Sequence, residues 1–393
     1  MLFAVNGFGV ATWASRTPEI AHGLGVGVGQ MGALVTGGPA GAIVAILLSS
    51  HVIHLLGSAR TVRIALCGAA LGLLVVGLAA GMLGNYALAF AGFVVYGFSN
   101  ASCGIVFNIE AAESDRAGQR TFMPMFHAVF SMGTFVGAGI GTLATVIGVP
   151  LLVHFSGAAV LLVSGAIFIV GWLPEVESLS TTGQSSRFAD RMGVWLERRT
   201  LLIGLILLGT AFTEGTANNW LALALVQDRS FSPAAGAAYL AAFTGAMTAG
   251  RLVGGALVDR IGRVAALRSA LLLAAIGLLA VVLVPNPVVI AFGVVMWGLG
   301  ASLGYPLGMS AAADNPVNAA ARVSAVAAVG ALAFLLGPSI IGLLGEQTSL
   351  LVAFTTVIVL VALALCVSGA ARPLTTLEHG ENDMAEASGS ESL

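Results

Sequence analysis

Long apolar stretches run along most of the chain, and short polar loops separate them. A helix of roughly 20 apolar residues is long enough to cross the hydrocarbon core of a bilayer, which is about 30 Å thick. The pattern therefore predicts an all-α membrane protein with twelve membrane-spanning helices. The predicted spans cover residues 1–20, 29–50, 61–82, 86–109, 121–146, 150–173, 200–227, 234–257, 264–285, 287–312, 320–345 and 349–371.

Two longer polar stretches divide this pattern. The first, around residues 174–199, is rich in Arg, acidic residues, Ser and Thr, which is typical of a linker. It separates an N-terminal six-helix half (1–173) from a C-terminal six-helix half (200–371). The last stretch, 372–393, contains five acidic residues and several Ser, and we expect it to form a disordered acidic tail.

The composition excludes a soluble protein. The chain is 58% hydrophobic and 9% charged, whereas a soluble domain carries about 25% charged residues. A formal net charge of −2 argues against a nucleic-acid partner. Cys67, Cys103 and Cys366 lie inside apolar runs without metal or redox spacing, so we predict no metal and no cofactor.

The arginines predict how the chain is oriented. All 16 basic residues are arginine, and 14 of them, including those in the stretch 251–268, fall in loops and helix ends on one side. Only Arg16 and Arg229 fall on the other side. Because basic residues concentrate in cytoplasmic loops, both termini are predicted to be cytoplasmic. The first span begins at Met1 without a polar lead, so we expect the natural chain to start several residues upstream.

The two halves resemble each other at a nearly constant spacing. Trp13 and Trp220 are 207 residues apart, Gly57 and Gly262 are 205 apart, and Arg120 and Arg322 are 202 apart. This spacing predicts two parallel six-helix repeats, an arrangement that places solute sites between the halves near the membrane midplane.

The segment Gly255–Arg263 looks like the signature Gly-x-Leu-x-Asp-Arg-x-Gly-Arg of the major facilitator superfamily. Three further motifs resemble a branch of bacterial inner-membrane transporters that is similar to fucose–proton symporters: Trp13-x-x-Arg16-x-Pro18, His127-x-x-x-Ser131-x-Gly133 and Glu214-Gly215-x-x-x-x-Trp220. The resemblance implies the major facilitator fold, solute transport and a place in the bacterial inner membrane. The first-half copy departs from the signature at Ser50 and His54.

The signature segment suggests a latch at the end of span 8. Gly262 permits a tight turn, and the Asp259 carboxylate can accept from guanidinium groups or from a helix N-terminus across the interface. We predict that Asp259, Arg260, Gly262 and Arg263 gate the cytoplasmic side and separate when it opens. The alternative is that these positive charges only anchor the helix end at the cytoplasmic face of the membrane.

Glu214 is the most informative ionisable residue. It lies 13 residues after Leu201, about 20 Å into span 7 at 1.5 Å per residue. A carboxylate at that depth usually faces a cavity or a partner. We predict that Glu214 carries a coupling proton and that Asn218, Trp220 and the repeat equivalent Asn6 contact the solute. The alternative is a structural acid bonded to a neighbouring helix.

Polar residues in other spans complete the candidate set. His127 in span 5 is a candidate proton relay because imidazole titrates near neutral pH, or it is an interhelical hydrogen-bonding residue. Asn100 and Asn108 in span 4 are predicted to face the pore, since amides in hydrocarbon need partners. Arg16 either holds a solute, closes the outer gate, or snorkels to the interface.

These features together predict a secondary transporter and not an enzyme. It would move a small solute by alternating access, with protons as the driver and a sugar or other polar metabolite as the cargo. Efflux of drug-like or hydrophobic compounds is the first alternative, and a non-transporting receptor or scaffold is the second. The predicted partners are the solute, protons and the lipid bilayer, and we expect a monomer.

Overall fold

The computed structural model describes residues 2–117, 123–168, 193–315 and 319–374, apart from the side chains at 49, 50, 54, 108–117, 123–127 and 320. Every regular element in these ranges is a helix. The α-helices of the first half are Leu2–Ala14, Thr17–Leu24, Val28–Val35, Gly37–Leu78, Tyr86–Ala117, Met123–Val146 and Leu151–Phe168. Those of the second half are Arg198–Thr216, Ala222–Arg229, Pro233–Ile261, Arg263–Leu283, Pro287–Ala312, Ala319–Gln347, Leu350–Ala353 and Thr355–Val367. Single π-helical turns cover Ala79–Leu83 and Ala217–Leu221, and a 3₁₀ turn covers Ser368–Ala371.

Within the described ranges, eleven helical segments are long and apolar enough to cross a membrane, and the shorter apolar helix Leu2–Ala14 precedes them. We number Leu2–Ala14 as span 1. Spans 2 to 12 are Val28–Leu48, Leu55–Leu83, Tyr86–Phe107, Ala128–Val146, Leu151–Phe168, Arg198–Arg229, Pro233–Ile261, Arg263–Leu283, Pro287–Ala312, Ala321–Gln347 and Leu350–Ala371. The all-α membrane fold predicted from the sequence is confirmed.

Span 1 is shorter than the apolar pattern predicts. The pattern suggested one helix over residues 1–20, but the helix ends at Ala14 and a second helix begins at Thr17. Pro18 lies in the first turn of that second helix and has no N–H to bond the Ala14 carbonyl. The Thr17 hydroxyl donates to this carbonyl oxygen at 2.8 Å instead. The proline therefore divides the predicted span.

The same glycine turn closes the second span of each half. Gly57 has φ 74° and ψ 165°, and Gly262 has φ 81° and ψ 157°. Residues with a side chain essentially never adopt this backbone region. The two glycines are 205 positions apart, so the backbone repeats at the spacing that the sequence indicated.

Glycines also let neighbouring helices approach closely in both halves. Between spans 3 and 4, a Cβ at Gly72 would lie 2.8 Å from the Gly92 carbonyl oxygen. Between spans 9 and 10, a Cβ at Gly293 would lie 2.9 Å from the Gly277 carbonyl oxygen. Gly277 follows Gly72 by 205 positions, and Gly293 follows Gly92 by 201. Small residues at such crossings allow the backbone-to-backbone packing that holds membrane helices together.

The two ends of the helix bundle differ in charge. One end, called the arginine-rich end below, carries Arg60, Arg63, Arg198, Arg199, Arg260, Arg263, Arg268, Arg322 and Arg372. The other, called the arginine-poor end, carries Arg16 and Arg229. The turns at Gly57 and Gly262 belong to the arginine-rich end.

The two halves touch along a seam towards the arginine-poor end. Spans 2 and 11 meet where a Cβ at Gly342 would lie 3.0 Å from the Cα of Gly32. Spans 5 and 8 meet where a Cβ at Gly245 would lie 2.8 Å from Cδ2 of Phe135. These approaches leave no room for a solute to pass between the helices.

Towards the arginine-rich end, two spans of opposite halves separate. The helix Ala319–Gln347 packs on Val28–Val35 far more than on the helix Gly37–Leu78 that continues span 2. Within residues 43–48 only Ala45 is buried and the rest are exposed. At 3.6 residues per turn, these exposed side chains cover more than half of the helix circumference. This part of span 2 therefore makes few contacts with span 11 in the described structure, and these two spans diverge towards the arginine-rich end.

Candidate functional site

Glu214 lies halfway along span 7, where the helix is irregular. The Thr213 hydroxyl donates to the Gly209 carbonyl oxygen at 2.7 Å, a contact that bends helices. The π-helical turn Ala217–Leu221 follows, and within it the Asn219 side-chain amide donates to the Gly215 carbonyl oxygen at 2.6 Å. Such turns recur at functional sites because they reorient side chains.

The carboxylate of Glu214 is paired with Arg251 of span 8. Arg251 Nη2 lies 3.0 Å from Glu214 Oε2, and the two side chains are 12% and 13% exposed. The prediction that the stretch 251–268 lies at a membrane face is wrong for Arg251. This residue lies inside span 8, ten residues before Ile261. The sequence contained a sign of this pair: an arginine at that depth in a helix rich in Gly and Ala needs a buried partner.

Arg251 also reaches the other half of the protein. Its Nη1 donates to the Ser131 hydroxyl in span 5, and Ser131 is completely buried. His127, the predicted proton relay, precedes Ser131 by four residues, but its side chain lies outside the described part. One guanidinium thus connects an acid in the C-terminal half with a hydroxyl in the N-terminal half.

Two aromatic side chains border the pair. Tyr305 of span 10 interacts electrostatically with Glu214. Phe334 of span 11 lies beside Gly215, where a Cβ would be 3.3 Å from Phe334 Cδ1. In the described ranges, spans 10 and 11 thus bring a phenol and a phenyl ring towards this part of span 7.

The predicted amides are spread over three spans. Asn6 in span 1 is buried and 6% exposed, and Asn218 in span 7 is half-buried. The Asn100 Oδ1 atom in span 4 is buried, and no described residue donates a hydrogen bond to it. The side chain of Asn108 lies outside the described part. Solute contact by these amides stays a prediction.

Trp220 lies under the closed seam. It is 1% exposed, and a Cβ at Gly342 would lie 3.1 Å from its Cζ2 atom, while one at Gly32 would lie 3.3 Å away. The indole packs against both glycines where spans 2 and 11 cross. In this arrangement Trp220 supports the seam, and its predicted contact with a solute would require the seam to part.

Arg16 is held at the arginine-poor end. Its Nε lies 2.8 Å from Glu19 Oε1, its Nη2 donates to the Val149 carbonyl oxygen at 3.0 Å, and its Nη1 lies 3.4 Å from His154 Nδ1. A cleft of about 490 Å³ borders this cluster and reaches Ser232 in the other half. Arg16 thus fastens the end of span 1 to the loop after span 5, a network that the sequence did not indicate.

Of the side chains in the predicted latch, Arg263 alone forms an ion pair within the described ranges. Arg263 Nη1 contacts both carboxylate oxygens of Asp314 at 2.9 and 2.7 Å, and Arg199 Nη2 contacts Asp314 at 2.7 Å. This cluster joins spans 7, 9 and 10 within the C-terminal half. Asp259 and Arg260 are exposed, and neither forms a hydrogen bond or ion pair with another residue in the described ranges.

A second charged contact lies beside this cluster. Arg322 Nε and Nη2 donate to the Glu197 carboxylate at 2.6 and 2.8 Å, and the Thr200 hydroxyl donates to it at 2.9 Å. The hydrogen bonds from Arg322 hold the pKa of Glu197 below its usual range, although partial burial opposes them. The sequence did not predict this contact, because Glu197 and Arg322 are 125 residues apart.

Comparison with known proteins identifies relatives of the whole chain. The sequence model of the Major Facilitator Superfamily matches residues 1–330 and 203–390. An uncharacterized transporter of Sinorhizobium fredii is 31% identical over 356 residues, which make up 90% of this chain and 91% of that protein.

Two solved structures share the fold at low sequence identity. A mutant of the nucleoside transporter NupG is 14% identical, with a TM-score of 0.73 over 94% of this chain and 98% of that one. A variant of the fucose:proton symporter FucP of E. coli is 12% identical, with a TM-score of 0.61 over 95% of this chain and 98% of that one.

Proposed function

The chain belongs to the major facilitator superfamily of membrane transporters, and from this premise we propose that it is a proton-coupled secondary transporter working by alternating access. Its solute would bind between the two halves and meet one side of the membrane at a time. The observation that carries the proposal is the divergence of spans 2 and 11 towards one end of the bundle, with the Glu214–Arg251 ion pair beside the seam that closes the other side.

The arginines supply the orientation. If the arginine-rich end faces the cytoplasm, as the preference of basic residues for that side implies, both termini are cytoplasmic and the described state is open inwards. The membrane would be the inner membrane of a bacterium, and the functional unit a monomer.

Glu214 is the proposed proton carrier. It is the ionisable residue farthest from both ends of span 7, and a carboxylate at that depth stays ionised only with a partner. Arg251 is that partner at 3.0 Å. The intact pair adds no net charge to the membrane interior, and we expect protonation of Glu214 to accompany the change of state.

The surroundings of the pair favour a neutral solute with several hydroxyl groups. Glu214 and Arg251 cancel each other's charge, while Tyr305 and the predicted solute contacts Asn100 and Asn218 offer phenol and amide groups for hydrogen bonds. A sugar or nucleoside-like metabolite fits this chemistry. The ring of Phe334 beside Gly215 favours the second candidate, efflux of a hydrophobic compound.

Asp259 is the proposed half of a latch that closes the arginine-rich end. Spans 5 and 8 are neighbours, so the end of span 8 would meet the start of span 5 when the halves close there. The Asp259 carboxylate would then accept from a helix N-terminus or from a guanidinium group. Its exposure in the open state is consistent with a separated latch.

Transport by the purified protein in liposomes tests the proposal. A thermal-shift screen of neutral sugars, nucleosides and hydrophobic cations would select solutes, and their uptake would be driven by a pH gradient. We expect Glu214→Gln to abolish gradient-driven accumulation, and the exposed Glu346→Gln to leave it unchanged. Accumulation that persists in Glu214→Gln would refute the proton-carrier role. If the protein binds compounds in the screen but transports none of them, the receptor alternative is correct.

A further inference from the structure

Arg251 contacts Glu214 and the opposite half of the protein with the same guanidinium group. Its Nη2 lies 3.0 Å from Glu214 Oε2, and its Nη1 donates to the Ser131 hydroxyl. Glu214 and Arg251 belong to the C-terminal half, whereas Ser131 belongs to the N-terminal half. A single side chain, Arg251, thus connects the Glu214 carboxylate with the contact between the halves.

Arginine keeps its charge under all physiological conditions. The buried guanidinium of Arg251 is compensated only while Glu214 is ionised, because removing one charge of a buried pair leaves the other uncompensated. Among the described residues, Tyr305 of span 10 interacts electrostatically with Glu214, and the apolar ring of Phe334 lies beside the neighbouring Gly215. Neither carries a negative charge that could replace the Glu214 carboxylate.

The bond between Arg251 and Ser131 lies at the edge of the seam. Towards the arginine-poor end, spans 5 and 8 continue in close contact at Phe135 and Gly245. Towards the arginine-rich end, Leu252 of span 8 is 65% exposed. His127 lies one turn beyond Ser131 on span 5, with its side chain outside the described part. A change at Arg251 therefore acts directly at the contact between spans 5 and 8.

We propose that Arg251 is a positioning residue that couples protonation of Glu214 to the movement of the two halves, which rests on the proposed role of Glu214. Ionised Glu214 holds Arg251 where it can donate to Ser131, and this contact stabilises the state open at the arginine-rich end. A proton on Glu214 removes the counter-charge, so the guanidinium turns towards water or the solute. The contact with Ser131 is lost, and the halves are free to close.

Spin-label distances measured against pH test this coupling without a known solute. The labels are placed at Leu55→Cys and Ile261→Cys, two exposed positions on opposite halves of the arginine-rich end, after Cys67, Cys103 and Cys366 are replaced by Ala. In liposomes between pH 5 and 9, we expect the open fraction of the wild type to fall with a single midpoint as the pH falls.

The variants test each residue in turn. Glu214→Gln should remove the pH response. Arg251→Gln should also flatten the pH response, because no guanidinium then connects the charge of Glu214 with the Ser131 hydroxyl. Arg251→Lys should restore most of the wild-type response, and Ser131→Ala should lower the open fraction at high pH. Arg268→Gln, at an exposed arginine bonded to Ser368, is the matched control and should change nothing.

The outcomes distinguish this inference from the proposed function. A pH response that survives in Glu214→Gln overturns the role of Glu214 itself. If Glu214→Gln abolishes the response but Arg251→Gln keeps the wild-type response, only the coupling role of Arg251 is overturned. If Arg251→Gln gives no monodisperse protein, Ser131→Ala carries the test, and an unchanged open fraction at high pH overturns the coupling.

Discussion

Gly342 of span 11 lies directly against Gly32 of span 2, and the indole of Trp220 packs beneath both glycines. A Cβ at Gly342 would lie 3.0 Å from the Cα of Gly32 and 3.1 Å from Trp220 Cζ2. The closed seam at the arginine-poor end therefore depends on the absence of side chains at this crossing.

Gly342→Val should prevent this end from closing. Its side chain would meet backbone on one side and a buried ring on the other, neither of which can move aside easily. We expect spin labels at the exposed positions Ile147 and Val288, on opposite halves, to move apart by several ångströms. Gly139→Val, at a position with open space around it, should leave the distance unchanged, and equal distances in both variants would contradict the role of the crossing.

Gly262→Ala should destabilise the protein because φ 81° with ψ 157° strains any residue with a Cβ. Strain of this kind is on the order of 1–3 kcal/mol. The matched control is Gly255→Ala, in a regular helix with open space around it, which should be neutral or slightly stabilising. Thermal unfolding in detergent measures both, and a Gly262→Ala protein as stable as Gly255→Ala would show that the turn is not strained.

Arg16 and Glu19 should behave as a coupled pair. Arg16→Gln leaves the Glu19 carboxylate without its 2.8 Å partner, and breaking a buried pair in this way costs roughly 3–5 kcal/mol of unfolding free energy. Arg16→Gln with Glu19→Gln should lose less than the sum of the single changes. Additive losses in the double-variant cycle would mean that the Val149 and His154 contacts, rather than the ion pair, hold Arg16.

Glu197 should make stability depend on pH in the acid range. Its pKa is lower in the folded protein than in the unfolded chain because Arg322 donates to the carboxylate. The stabilisation is therefore complete above the ordinary Glu pKa and is lost as the pH falls through the lowered folded value. The difference in Tm between wild type and Glu197→Gln should be constant near neutral pH and shrink below about pH 4.5. A difference that stays constant down to pH 3 would exclude the ionised carboxylate as its source.

The number of spans, their order and the repeat could be predicted because they depend on local properties. Apolar length decides whether a helix can cross a bilayer, and the turn at Gly57 recurs at Gly262 because only glycine adopts it. The depth of Glu214 also follows from counting residues along span 7. Each of these predictions uses only residues that are close together along the chain or a count along one helix.

The partners of the charged residues could not be predicted in this way. In a helix that is apolar on every side, the pattern of polar residues does not show which face meets which neighbour. The pattern places Arg251 at a membrane face although it lies inside span 8, and it gives no sign that Trp220 packs against glycines of spans 2 and 11. The sequence does not mark Asp314 as an ion-pair partner, since Arg199 and Arg263 belong to other spans.

The side of the membrane from which Asn100, a residue predicted to face the pore, can be reached tests alternating access most directly. In a protein with its native cysteines replaced, Asn100→Cys is labelled with a membrane-impermeant thiol reagent in vesicles of known orientation. We expect labelling from the side of the arginine-rich end, and a switch to the opposite side when Gly342→Val is added. Labelling from the same side in both proteins would contradict alternating access.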